Sequence, residues 1–276
     1  MDELLVEKRG PVTLITLNRP DAHNSITAAM AVGMAEAIDA FTGDDSARVL
    51  VVTGAGDTAF CSGANLKDLD ELLDHPHAHR AGPIGFAKLD PGKPTIAAVN
   101  GYCFAGGMEL ACWCDFRIAS ANAEFGALNR RWGVPFIDGG TQRFPRIMGQ
   151  GNALWMIETG VRIDAARAQS IGLVQEVVPA RGTGGVPPTG AAEAATGNPA
   201  LDRALELADR IAGYPQASLR ADRAATLATY GVSLQAGLFM ESGICRPTGS
   251  DPEMREGLRN FVSGNRPEAP RPATSG

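Results

Sequence analysis

With 276 residues, a net charge of -6 and 20% charged side chains, the chain has the composition of a globular protein long enough to bury a substantial core. Acidic residues outnumber basic ones 31 to 25, and only Lys8, Lys67, Lys88 and Lys93 are lysines, which argues against a nucleic-acid surface. No apolar run approaches the ~20 residues of a membrane span, and the first residues are acidic where a signal peptide is basic, so a cytoplasmic protein with no membrane partner is expected.

Residues 4–9 and 12–17 flank Gly10-Pro11 and predict a hairpin. After a polar turn at 18–25, residues 28–41 carry Met30, Met34, Ala37, Ile38 and Phe41 at helical spacing, with Ser25 or Thr27 as N-cap. The β-branched run 48–53 predicts a buried strand. Gly54-Ala-Gly-Asp-Thr-Ala59 then fits a dinucleotide fingerprint, with Asp74 at the usual distance. The context fails, because a helix should open at these glycines, whereas Phe60-Cys-Ser-Gly-Ala-Asn65 follows and the next helix is expected over 66–73. Saturable NAD binding is therefore not expected.

Residues 75–94 are rich in Pro, Gly and His and predict a loop or lid. His75, His77 and His79 alternate there, but no carboxylate or cysteine cluster follows at ligand spacing, so no metal is expected. The five cysteines have no disulfide framework and are expected as small buried residues.

The stretch Val99-Asn-Gly-Tyr-Cys-Phe-Ala-Gly-Gly-Met-Glu-Leu-Ala-Cys-Trp-Cys-Asp115 organises the rest. A strand ends, Gly106-Gly107 bend the chain, and a helix opens with Glu109 in its first turn. Unpaired N–H groups at the positive end of a helix suit a developing oxyanion, and Glu109 would put a proton acceptor beside them. A glycine-rich helix entry with a solvated glutamate is the alternative.

Strands are expected at 116–120, 123–125 and 173–178, and helices at 139–147, 149–159 and from the Asp164 cap to Gly172. Residues 181–198 are low-complexity and read as a flexible insertion. Beyond them the pattern is helical only, over 201–212, 215–228, 233–242 and 252–262, before a Pro-rich tail from Asn265. The expected division is thus a core, 1–198, and a helical region, 199–276. Trp113, Trp132 and Trp155 are expected in the core.

Four segments agree in order and spacing with one family. Asn24-Ser25, then Ala59-Phe-Cys-Ser-Gly-Ala-Asn-Leu66, then Val99 to Leu110 with Cys114-Asp115, then Gly133 through Gly139-Gly-Thr-Gln-Arg143 resemble the enoyl-CoA hydratase/isomerase (crotonase) family. The resemblance covers residues 4 to about 262. It implies an α/β fold, a spiral of ββα turns with a C-terminal helical trimerisation region, an acyl-CoA thioester as substrate, and a homotrimer or hexamer. It implies no separate cofactor, coenzyme A being part of the substrate.

By the same resemblance, the N–H groups of Ala64 and Gly106 hold the thioester oxygen, and Ala22, His23, Ser62, Ala64, Asn65, Leu66 and Lys67 lie along the CoA path. Glu109 matches one of two catalytic glutamates. The second position is Asn129, which can position a water or donate a hydrogen bond but cannot shuttle a proton. Asp138 is the replacement acid within reach, with helix capping as its alternative role. Burial beside Trp132 or Phe136 would raise its pKa. The expected reaction is reversible hydration of a 2-enoyl-CoA with Glu109 as base. Double-bond isomerisation and non-catalytic acyl-CoA binding are the alternatives.

Overall fold

The alternating run Val12-Thr-Leu-Ile-Thr-Leu17 sends its side chains to two different cores, and the rest of the fold is layered on that split. A computed structural model describes residues 2–181 and 196–265. Strands β1 (Leu4–Arg9) and β2 (Val12–Leu17) form the expected antiparallel hairpin through Gly10 at φ 58°. Thr27, rather than Ser25, caps α1 (Ala28–Gly43), its hydroxyl accepting from Met30 N at 3.2 Å.

Strand β3 (Val49–Gly54) is buried throughout, and the Gly54 to Ala59 turn leads straight into strand β4 (Ala59–Cys61), not into a helix. The single helix expected over 66–73 is divided. Asn65 Nδ2 donates to Asp68 at 3.0 Å and tightens a 3-10 turn at Leu66–Asp68, after which α2 (Leu69–Asp74) begins. A short α3 (Ala78–Ala81) interrupts the loop expected at 75–94.

The central stretch contains an unforeseen second strand: β5 (Thr95–Val99) is followed by β6 (Tyr102–Phe104) and then by α4 (Gly106–Trp113). Next come β7 (Phe116–Ser120), β8 (Glu124–Gly126), a 3-10 turn at Leu128–Trp132, α5 (Gly140–Met148) and α6 (Gln150–Thr159). β9 (Arg162–Asp164), also unforeseen, precedes α7 (Ala165–Ser170), which Asp164 caps as expected. The strand expected over 173–178 shrinks to β10 (Glu176–Val178), because the preceding backbone is bonded otherwise: Leu173 O accepts from Arg117 Nε at 2.6 Å.

Among the described residues one sheet runs β1-β2-β3-β5-β7-β10, parallel from β2 onward, and a second runs β4-β6-β8-β9. Each turn of the chain gives one strand to each sheet and then a helix (β3, β4, α2; β5, β6, α4; β7, β8, α5), which is the ββα winding. The period of two splits the first sheet. Ile15, Leu17, Leu50, Val52, Ala97 and Val99 face the core shared with α1 and α4. Val12, Leu14, Val49, Val51, Ile96 and Ala98 pack on Ala200, Leu201, Ala204 and Ala208 of α8 (Pro199–Ala212). Helices α9 (Gln216–Ala228), α10 (Leu234–Cys245) and α11 (Pro252–Val262) follow.

Of the three tryptophans expected in the core, only Trp113 is buried, its indole N–H donating to Leu89 O at 2.7 Å. Trp132 lies 72% exposed in the Leu128–Trp132 turn, and the exposed Trp155 of α6 carries Arg167 over its ring at 5.9 Å. Of the five cysteines expected to be buried, Cys61, Cys103, Cys112 and Cys114 are buried free thiols, whereas Cys245 at the end of α10 is only half-buried. Among the described residues no helix is long and apolar enough to cross a membrane, and no three ligating side chains gather as a metal site. Most of the expected insertion at 181–198, and the tail after Asn265, lie outside the described residues.

Candidate active site

The site forms where the β4 exit, the α4 entry and the chain leading into α5 meet. A Cβ built on Gly63 would come within 2.9 Å of Gly106 N, and a Cβ at Gly107 would strike the Cys61 carbonyl, so the two backbones approach only because side chains are missing. Ala105, just before α4, is held at φ 50° and ψ -122°, a conformation that L residues rarely adopt. Gly106 follows this bend as the first residue of α4, where an N–H has no intrahelical acceptor. Neither Gly106 N nor Ala64 N has an acceptor among the described residues, and both residues line one cavity of about 130 Å³.

Glu109, 3% exposed, stands in the first turn of α4 and lines the same cavity. Its Oε1 accepts from two backbone N–H groups, Asp138 at 2.9 Å and Gly140 at 2.8 Å. Burial, and then the neighbouring Asp138 charge, push Glu109 up to about 8 despite those two donors. Oε2 takes no part in this pair of bonds, so a proton carried by Glu109 belongs there.

Asp138 is equally buried. The cap position of α5 is Gly139, which makes no side-chain cap bond, so the capping alternative for Asp138 is set aside. Instead its Oδ1 accepts from Ile84 N at 3.3 Å, and burial pushes its carboxyl up to about 6 against that donor and the charges of Arg143 and Lys88. Arg143 is anchored behind the site, its guanidinium donating to Asp138 O at 3.1 Å and to Ala87 O at 2.6 Å.

Asn129, 8% exposed, completes the polar wall. Its Nδ2 donates to Val134 O at 2.8 Å, while its Oδ1 is buried without a partner among the described residues. An orphaned buried acceptor costs about 1–3 kcal/mol, which a ligand donor would recover. Most of the remaining wall is apolar, with Leu69, Leu72, Ile84, Phe136 and Ile137 among its residues, and the exposed Trp132 lines it as well.

Ser62 and Leu66 also line the cavity. Ala22, His23, Asn65 and Lys67 do not, although the Ser62 N–H donates to His23 O at 3.0 Å and so ties the 22–23 turn to the rim. Three contributors were not singled out as site residues from the sequence: the Ile84 N–H, Gly82 and Arg143. Gly82 sits at φ 93°, and a Cβ there would meet Asp138 Oδ1 at 2.7 Å. The Gly82-Pro83 dipeptide and the Arg143 that ends the Gly-Gly-Thr-Gln-Arg run were the available signals.

Comparisons with known proteins agree with this architecture. The Enoyl-CoA hydratase/isomerase family model matches residues 7–183. The 2,3-dehydroadipyl-CoA hydratase of Escherichia coli (strain K12) is 34% identical, over 97% of this chain and 98% of its own. The crotonyl-CoA hydratase of Syntrophomonas wolfei is 31% identical over 95% of each. A crystal structure of an enoyl-CoA hydratase from Mycobacterium tuberculosis H37Rv superposes with a TM-score of 0.83 at 31% identity, covering 96% of this chain and 98% of that one. The double-sheet winding, the paired open N–H groups and the matched length together place the chain in the enoyl-CoA hydratase/isomerase family.

Proposed function

We propose that the protein is an enzyme that adds water reversibly across the 2,3 double bond of a 2-enoyl-CoA thioester. The observation that carries this is the meeting of two buried carboxyls, Glu109 and Asp138, with the open N–H groups of Ala64 and Gly106 around one small cavity. A pair with such pKa values holds one proton between about pH 6 and 8, so an acid and a base are present together at neutral pH.

The thioester oxygen lies on the Ala64 and Gly106 N–H groups, which are fixed before charge develops. Water attacks C3, Asp138 takes one of its protons, and its other hydrogen is held by Asn129 Oδ1. The electrons of the double bond move to the thioester as an enolate. C2 then takes the proton from Glu109 Oε2, and the product is a 3-hydroxyacyl-CoA. The sequence suggested Glu109 as base; the division proposed here is the converse, Glu109 as acid and Asp138 as base, because burial beside a second carboxyl favours the protonated form of Glu109.

Coenzyme A arrives as part of the substrate, and no separate cofactor enters the chemistry. Ala22, His23, Ser62, Asn65, Leu66 and Lys67 are its proposed path across the rim, in a cytoplasmic homotrimer or hexamer. The replacement of a second glutamate by Asn129 favours one other reading, isomerisation, in which a single carboxyl carries a proton between carbons.

The test follows the absorbance of the conjugated thioester when purified protein meets crotonyl-CoA and a longer 2-enoyl-CoA. Loss of the band, slowed about 100-fold or more in Glu109→Gln, is expected. A silent trace despite acyl-CoA binding would remove hydration, and conversion of a 3-enoyl-CoA would then select isomerisation over non-catalytic binding.

A further inference from the structure

His75 stands outside the cavity lining, yet it is 8% exposed and both ring nitrogens are engaged. Nδ1 accepts from His77 N at 3.2 Å, which leaves the ring proton on Nε2, 3.0 Å from Pro83 O. His75 therefore ties the end of α2 to Pro83, eight residues on.

What it ties down is the backbone that touches Asp138. Ile84 N, one residue past the anchored carbonyl, donates to Asp138 Oδ1, and the bare α-carbon of Gly82 lies where a Cβ would meet the same oxygen at 2.7 Å. Ile84 also reaches the oxyanion donors, since a Cβ on Gly106 would come within 2.8 Å of Ile84 Cδ1. One short segment, 82–84, thus braces both the carboxyl and the bend that presents the Gly106 N–H. The His75 ring fixes its middle residue.

We propose that His75 is a positioning residue for Asp138, holding Pro83 so that the Ile84 N–H stays on the carboxylate. This rests on Asp138 acting as the water-facing base. Asp138 is faced by Glu109 of α4, by Arg143 of α5 and by Lys88 beyond α3, in addition to the Ile84 N–H. Of these, the Ile84 N–H belongs to the peptide unit whose carbonyl, Pro83 O, is held by His75. Moving it away removes a donor that favours the charged form, so the midpoint of Asp138 must rise.

Two amides separate the two ring contacts. Asparagine places a polar atom near the Nδ1 position and falls short of Pro83; glutamine places one near Nε2 and can still donate to it. The test compares full-length His75→Asn and His75→Gln by carbon NMR titration of isotope-labelled aspartate carboxyls, with the Asp138 signal assigned by its loss in Asp138→Asn. In His75→Asn the Asp138 midpoint should rise by about half a unit or more, while His75→Gln should stay near the wild type. The low-pH limb of the kcat profile should move with it. Identical midpoints in the two variants and the wild type would overturn the proposal and leave His75 as a core residue. The titration needs no turnover: a shifted midpoint in a protein that hydrates nothing would sustain the positioning role and reject the hydration reaction instead.

Discussion

Glu109 is a helix residue whose two backbone donors would ordinarily favour its charge, and burial outweighs them. Its folded value, about 8, lies above the 4.5 of a free glutamate, so the native state binds the extra proton between those limits. The stability linked to the neutral form is complete below pH 4.5 and is lost as pH rises towards 8. Glu109→Gln should therefore be the more stable protein at pH 8, by about 1–3 kcal/mol in denaturant titration, while being the less active. An unchanged or lower midpoint would show that Glu109 is charged in the folded protein. Asn129→Leu should lower kcat by about 10-fold, since the attacking water loses one acceptor while both carboxyls remain. Glu109 and the Gly106-Gly107 entry stood out in the sequence because a glycine pair at a helix start carries its own geometry, whereas Ala64 came only from the family resemblance. The Asp138 environment was not, because its donor, Ile84, is 54 residues away and acts through a backbone N–H that no side-chain pattern reveals.

At the scale of elements, the site depends on how closely β4 and α4 approach. Gly107→Ala would drive a methyl group into the Cys61 carbonyl and should destabilise the protein by about 2 kcal/mol or more, read as a lowered thermal midpoint. Gly82→Ala differs in kind: it strains a φ of 93° and presses on Asp138 Oδ1, so activity should fall further than the loss of fold explains. Kinetics per folded molecule separate the two effects. The long elements of this scaffold, α1, β2, β3, β5 and β7, were readable from periodicity and β-branched runs. The short ones, β6 and β9, were not: three residues are too few to show a period of two, and they are strands because β4 and β8 supply their partners. The division at Asp68 arose likewise from one side-chain bond, Asn65 to Asp68, that helical spacing does not encode.

Over the whole molecule, the distribution of apolar surface is uneven. Helix α8 spends its small residues on the first sheet, whereas α9, α10 and α11 leave Leu227, Leu234, Leu238, Phe239, Leu258 and Val262 exposed, Phe239 at 84%. Exposed apolar surface of this extent suits an interface with another chain. We propose that it is covered by further copies of this one. Phe239→Asp should then lower the mass measured by light scattering from that of an assembly towards 28.8 kDa, with the Glu109 and Asp138 cavity intact in each copy. A wild type that already scatters as a monomer would contradict the assembly. The helical character of this region was plain in the sequence; which faces meet the sheet was not, because that depends on where the first sheet ends.

The pH profile of crotonyl-CoA hydration, measured on the wild type and on Asp138→Asn, bears most directly on the claim that one proton shared by two buried carboxyls drives the reaction. The wild type should give a bell falling below about pH 6 and above about pH 8, and Asp138→Asn should lose about 100-fold or more at the optimum together with the low-pH limb. A flat wild-type profile, or an Asp138→Asn variant as active as the wild type, would contradict the account and return Asp138 to a structural role.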